Sequence, residues 1–150
     1  MRVHQFDKVE MVQYTVPEDS DEAFEELLAR AEGLVQSLNL RYRVVRLAAE
    51  DMSFGMARTY DVEVWLPFAK MWSEVSSVSN ARDFQARRGN IRFRIEDGST
   101  RFVHTLNASG LANSRLMVAL LETYQQKDGS VIVPEVLRDF MKKDVIKTVE

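Results

Sequence analysis

No cysteine occurs anywhere in the 150 residues. Disulfide staples, thiolate-bound zinc and a thiol nucleophile are excluded with it. Histidine is nearly as scarce: His4 and His104 are the only two, so a multi-histidine metal centre is not expected. Glycine occurs six times and proline three. No Gly-rich phosphate loop and no Ser/His/Asp spacing is found among them, which argues against a nucleophilic hydrolase. No apolar run approaches the roughly 20 residues of a membrane-spanning helix. No signal-peptide core follows the N-terminus. A cytoplasmic protein without membrane association is the expectation. Neither sign of charge dominates: 20 basic residues face 23 acidic ones, a net charge of −3. Bulk electrostatics therefore gives no general attraction for nucleic acid. What is present is 45% hydrophobic and 29% charged residues, enough for one globular domain with its own core.

Hydrophobic periodicity divides the chain. Residues 2–16 read as a strand that starts abruptly, needs a partner from elsewhere in the sheet, and suggests missing upstream sequence. Pro17 ends it, lacking an N–H to donate. A helix follows, capped by Asp19 or Ser20, with Glu22 as a capping-box partner. Phe24, Leu27, Leu28, Ala31, Leu34, Val35 and Leu38 recur at spacings of three and four, one apolar stripe for packing on a sheet. Residues 41–47 and 60–66 read as strands with a loop between. In the second, Asp61, Glu63 and Trp65 share one face, so its carboxylates either meet solvent or hold a cation. Residues 71–78 contain a lone acid, Glu74, to be partnered by an arginine or used in chemistry.

Residues 80–88 read as an arginine-rich connector. Asp97-Gly98 is a hairpin signal joining a strand around 91–95 to a returning strand at 101–106. This places Arg92, Arg94 and Arg101 together, either to hold phosphates or to pair with Asp61, Glu63 and Glu74. Next comes Leu106-Asn107-Ala108-Ser109-Gly110-Leu111-Ala112-Asn113-Ser114-Arg115. It reads as a strand end carrying Asn107 and Ser109 on one face, a turn at Gly110, and a helix with Arg115 near its start, where an anion would sit well. A short extended segment spans 131–133. Pro134 opens a last helix with Val136, Leu137, Phe140 and Met141 inward, and the charged tail from 142 frays. The class is α+β: an antiparallel sheet flanked by helices.

Four stretches, taken in order, carry a family resemblance: RVHQFDKVE from Arg2, DVEVWLP from Asp61, EVSSVSN running on to DFQARR from Glu74, and LNASGLANSR from Leu106. Together they closely resemble the C-terminal half of the catalytic domain of seryl-tRNA synthetases, which are class II aminoacyl-tRNA synthetases. The first looks like the second half of that family's motif 2, and the last like motif 3. The resemblance implies a partial class II core that binds ATP, Mg²⁺ and L-serine, forms seryl-adenylate, and passes the seryl group to tRNA(Ser). It implies Arg2 and Arg115 as the catalytic cations over the triphosphate. Val3 and Phe6 would meet the nucleotide, Phe6 by stacking on adenine. Glu10, Asn107 and Ser109 would bind serine. Glu74 and Ser77 would hold Mg²⁺ and phosphates, with Val75 and Ser76 lining the nucleotide.

The sequence also departs from the family pattern. Motif 1, the Arg-x-Glu first half of motif 2, the Thr-x-Glu loop and the N-terminal coiled coil have no counterpart in residues 1–150. Ala108 stands where glycine is usual, Asn113-Ser114 where Val-Gly is usual, and Ala48-Ala49-Glu50-Asp51 where Thr-Gly-Asp is usual. The resemblance therefore implies a homodimeric, tRNA-binding enzyme of which this is a portion, inactive when isolated and open to aggregation at a bare sheet edge. An inactive synthetase-like module that binds a nucleotide or partner is the alternative. A relative that loads a carrier protein fits less well, given the serine-type residues and the missing metal-binding Cys and His.

Overall fold

A computed structural model describes residues 2–147. Five strands build its main sheet: β1 (Lys8–Thr15), β2 (Tyr42–Arg46), β3 (Arg58–Leu66), β4 (Met71–Asn80) and β7 (His104–Ala112). Their spatial order is β1-β7-β4-β3-β2, and every neighbouring pair is antiparallel. Helix α1 (Ser20–Ser37) crosses one face. Its stripe buries Phe24, Leu27, Leu28, Ala31 and Val35 against Val62, Val64, Val75, Val78, Leu106 and Ala108 of the sheet. Phe24 meets Tyr60 edge-on, with ring centroids 5.3 Å apart. Full burial of such a side chain contributes roughly 1.5–3 kcal/mol, so this one helix face anchors the fold.

The expected capping box is absent. Asp19 sits at φ −94°, ψ 1° and makes no side-chain cap bond. Residues Pro17–Asp19 already turn as a 3-10 helix into α1, which leaves Asp19 outside the extended conformation a capping side chain needs. The Ser20 hydroxyl is instead taken by Asn80 Nδ2 at 2.7 Å.

The middle of the chain departs from the sequence reading. Part of the arginine-rich connector is helical, α2 (Phe84–Gly89). The Asp97-Gly98 hairpin is present, but it joins two three-residue strands, β5 (Arg92–Arg94) and β6 (Thr100–Phe102), in a sheet of their own. Only after Val103 does the chain join the main sheet as β7. Helix α3 (Asn113–Tyr124) follows β7 without a loop. Strands β8 (Val131–Ile132) and β9 (Val145–Ile146) pair around α4 (Glu135–Met141), so the tail as far as residue 147 is ordered and not frayed. Residues 148–150 of that expected tail lie outside the described residues. In α4 only Leu137 packs on the core. Phe140 is 86% exposed, and Val136 and Met141 are exposed too, because the helix is only two turns long and borders an open groove beside α1 and α3.

The accessible surface is 10,149 Å². Surface scaling gives about 7,800 Å² for a monomer of this mass. The excess is apolar in part: Val9, Val12 and Tyr14 on edge strand β1 are exposed, as are Phe54 and Phe68.

Candidate active site

The sheet face opposite α1 carries the polar residues. Strand alternation puts Val62, Val64 and Leu66 inward and Asp61, Glu63 and Trp65 outward on β3. On β7, Leu106 and Ala108 go to the core, and Asn107 and Ser109 to the open face. Two irregularities then adjust the register. In β4, Val62 pairs with Ser76 while Glu63 pairs with Glu74, so Val75 is an extra, unpaired residue. This bulge turns two consecutive side chains, Val75 and Ser76, into the core, where both are 0% exposed. It returns Ser77 to the open face beside Asp61.

In β7, Glu10 pairs with Ser109 but Lys8 pairs with Ala112, which makes room for an extra residue at Gly110–Leu111. Gly110 is therefore inside a bulged strand and not at a turn. Its Cα lies close to the Leu34 and Met11 side chains, and a Cβ there would sit 3.5 Å from Leu34.

Three clusters result. In the first, Glu10 Oε1 accepts from Asn107 Nδ2 at 2.8 Å, and Oε2 accepts from Ser109 Oγ at 3.3 Å. Lys8 Nζ lies 2.6 Å from Oε2 and donates to Ser109 Oγ at 3.1 Å. Desolvation pushes the Glu10 carboxyl up, but bonds from Lys8, Asn107 and Ser109 together with the Lys8 charge outweigh it. The net shift is downward. Glu10 is thus held ionised, ready to accept from an ammonium and a hydroxyl.

In the second cluster, Arg115, in the first turn of α3, reaches Glu74 with Nη1 3.0 Å from Oε2. An arginine gains nothing from a helix N-terminus, so the carboxylate holds it. Asp61 and Ser77 lie alongside. Asp61 Oδ1 is buried without a partner. Burial pushes the Asp61 carboxyl up. A hydrogen bond from Ser77 opposes this, the charges of Glu74 and Glu63 add to it, and that of Arg115 opposes it. Asp61, Glu74 and Ser77 form an oxygen-only donor set with one orphaned carboxylate oxygen, chemistry suited to a hard cation. Among the described residues no three His, Cys, Asp or Glu side chains are grouped to hold a metal by themselves. Such a cation would need ligand oxygens as well, which is how Mg²⁺ is commonly bound with phosphates.

The third cluster is a cleft of about 410 Å³ lined by Arg2, Val3, Phe6, Ser114 and Arg115. It has one aromatic face and two guanidinium groups, and Arg115 links it to the second cluster.

The structure thus brings together Arg2, Val3, Phe6 and Arg115; Glu10, Asn107 and Ser109; and Glu74 with Arg115. It does not bring the Val75 and Ser76 side chains to the open face, so neither lines a nucleotide with its side chain. The expected arginine strip is not formed either. Across the β5–β6 pair, Arg92 faces Phe102 and Arg101 faces Phe93. Arg101 pairs with Glu18 at 2.6 Å, and the Arg92 guanidinium stacks on Phe102. Glu63 pairs with Arg43 at 2.6 Å. The sequence reading missed Lys8. Its signal was available: Lys8 stands two residues before Glu10 on one strand, hence on the same face. It also left Asp61 between a solvated face and a cation site, and the burial of Oδ1 favours the second.

A family model described as the tRNA synthetase class II core domain (G, H, P, S and T) matches residues 1–124. The chain is similar to the serine–tRNA ligase of Acholeplasma laidlawii, 56% identical over 148 residues, which is 98% of this chain and 35% of that protein. It is also similar to serine–tRNA ligase 2 of Clostridium acetobutylicum, 60% identical over 145 residues, 96% of this chain and 34% of that one. Among solved structures, the seryl-tRNA synthetase of Pyrococcus horikoshii complexed with ATP superposes with a TM-score of 0.95 at 46% identity, covering 99% of this chain and 34% of that one. The cytoplasmic serine–tRNA ligase of Naegleria fowleri in complex with AMP gives 0.90 at 35% identity, covering 99% and 36%. The chain thus spans about a third of the length of the relatives it matches.

Proposed function

The chain belongs to the class II tRNA synthetase core family, and from its site we propose that it supplies the serine- and nucleotide-binding face of a serine–tRNA ligase. The reaction is L-serine plus ATP to seryl-adenylate and pyrophosphate, then seryl transfer to tRNA(Ser). The carrying observation is one open sheet face that holds a carboxylate–amide–hydroxyl pocket on β1 and β7 and an arginine–carboxylate pair between α3 and β4.

Glu10 would accept from the serine ammonium and hydroxyl, with Asn107 and Ser109 orienting it. Alanine would leave these groups short of a partner, a loss that such sites use for discrimination. Phe6 would stack on the adenine, and Arg2 and Arg115 would hold the phosphates. Attack of the serine carboxylate on the α-phosphorus needs in-line positioning and positive charge, not a strong base. The Glu74, Ser77 and Asp61 oxygens would hold Mg²⁺, whose chemistry is to neutralise phosphate charge. The cytoplasm is the expected setting. Among the described residues no helix is long and apolar enough to cross a membrane.

The surface excess and the bare β1 edge support assembly with further sheet and with a second copy, as in a homodimer. Serine-dependent ATP–pyrophosphate exchange tests the reading in the protein that contains this chain. Exchange with serine and not with alanine is expected. Nucleotide binding without exchange would instead identify a binding module.

A further inference from the structure

The pocket assigned to serine already contains an ammonium. Lys8 Nζ lies 2.6 Å from Glu10 Oε2 and 3.1 Å from Ser109 Oγ. Those are two of the atoms that a substrate's ammonium and hydroxyl would use. A carboxylate offers about four lone-pair sites. Asn107, Ser109 and Lys8 occupy three of those on Glu10. An amino alcohol brings two donors more, so one present partner has to leave. Asn107 and Ser109 are short side chains fixed on a central strand. Lys8 is long, stands on the edge strand, and has 37% of its side chain exposed. An ammonium on a flexible stem also rehydrates readily. Lys8 is the partner able to leave.

We propose that Lys8 is a tethered competitor in the free pocket: its ammonium occupies the serine-ammonium position on Glu10, a binding ligand has to displace it, and the hydroxyl contact lets serine do so at a concentration where alanine does not. The proposal rests on the serine reading of the pocket. Its chemistry is a competition. A ligand with an ammonium alone, such as alanine, exchanges one ion pair on Glu10 for another and gains no bond there. Serine makes the same exchange and adds a hydroxyl contact. Because Lys8 is tethered three bonds of backbone from its acceptor's strand neighbour, it competes at high effective concentration. The pocket is then closed to plain amines at concentrations that suffice for serine, without any steric block.

The experiment reads Lys8 directly in the full chain by ¹⁵N–¹H NMR of lysine ammonium groups. In the free protein Lys8 gives a signal protected from solvent exchange, assigned by its loss in Lys8→Met. L-serine and ethanolamine are expected to abolish the protection, whereas L-alanine and ethylamine at equal concentration leave it. In parallel titrations, Lys8→Met is expected to bind L-serine and L-alanine each about tenfold more tightly than the parent, the order of one removed tethered competitor. The ratio of the two affinities stays as it was, since a common competitor scales both alike. Lys8→Gln repeats the measurement if Lys8→Met aggregates. A Lys8 signal that persists under saturating L-serine and under saturating ethanolamine overturns the proposal. So does a variant that loses serine and alanine affinity alike, since Lys8 would then be a permanent ligand. Release of Lys8 by ethanolamine but not by L-serine keeps the competition and refutes the serine reading instead.

Discussion

Ser76→Ala separates the bulged geometry of β4 from plain strand alternation. With plain alternation from Glu74, Ser76 would share the open face and touch the nucleotide. In the structure it is fully buried, and its Oγ donates to the Ser109 carbonyl at 2.6 Å. Removing the hydroxyl deletes a buried bond between β4 and β7. It leaves an acceptor short of one partner, at a cost of about 1–3 kcal/mol. The Ser109 carbonyl has a second lone pair and a strand neighbour, so the lower half of that range applies, roughly 1.5 kcal/mol. For a chain of this length that is a fall in melting temperature of about 3–6 °C. Urea titration should show a lower midpoint with an unchanged slope, because the surface exposed on unfolding is the same. Nucleotide affinity should not change. An unaltered midpoint together with weakened nucleotide binding would refute the register, because it would put the hydroxyl on the open face.

Further outcomes follow from other contacts. Arg115→Met should lower the rate of pyrophosphate exchange by roughly 10²–10³-fold, the scale of one lost charge donor at a developing anion. Arg115→Lys should restore little of it, since an ammonium lacks the planar fork. Phe24→Ala should cost about 3–5 kcal/mol as a large buried side chain becomes a cavity, read by denaturant titration, and is expected to leave little folded protein. His104 sets a pH dependence. Burial holds its imidazole below its ordinary range, the Asp83 charge opposes this and the Arg82 charge adds to it, and Nδ1 has no partner. A histidine with a lowered folded value is favoured neutral in the native state. Its contribution is complete above the unfolded value near 6.5 and is lost as pH falls through that value toward the folded one. The parent should therefore lose more stability between pH 7.5 and 5 than His104→Leu does, by thermal melts at both values. Equal losses would exclude His104 as the source.

Most of the elements were readable from periodicity alone. The α1 stripe, the alternation of β3 and the Asp97-Gly98 hairpin each follow a local rule, and each is present. Errors fell where tertiary pairing overrides the local pattern. LNASGLA reads as strand, turn and helix because glycine punctuates it. In the structure the bulge lets the strand run through Gly110 to Ala112, since pairing with β1 continues beyond it. EVSS reads as alternation, and a bulge at Val75 reverses two side chains. The bulge at Val75 has no sequence signal of its own, and the glycine at the other marks a bulge as readily as a turn, so the partner strand decides both. The hairpin return was placed in the main sheet because nothing local says that β6 stops at Phe102. The family resemblance offered the site residues as a set, and their division into side chains that face the open sheet face and side chains that are buried needed the register.

The free site is neutralised from within, and this bears on how ligands would enter it under the proposed function. Lys8 is paired with Glu10, Arg115 with Glu74 and Arg43 with Glu63. Each pair is partly solvated, and such pairs are worth about 0–1 kcal/mol, so opening one is cheap. Isolated, the same charges on one face would repel their like neighbours and carry unmet desolvation. Each ligand charge therefore enters by exchange. A phosphate that takes Arg115 frees Glu74, and the freed carboxylate lies next to the orphaned oxygen of Asp61 and the hydroxyl of Ser77. The same event that satisfies the arginine would thus leave three oxygens free for a cation. Under the proposed function, binding of phosphate and binding of cation would be linked through Arg115–Glu74, and by reciprocity each would strengthen the other. Without that pair, Glu74 would join Asp61 as a second unmatched carboxylate on one sheet face, and the free protein would bear a repulsion that a cation would relieve.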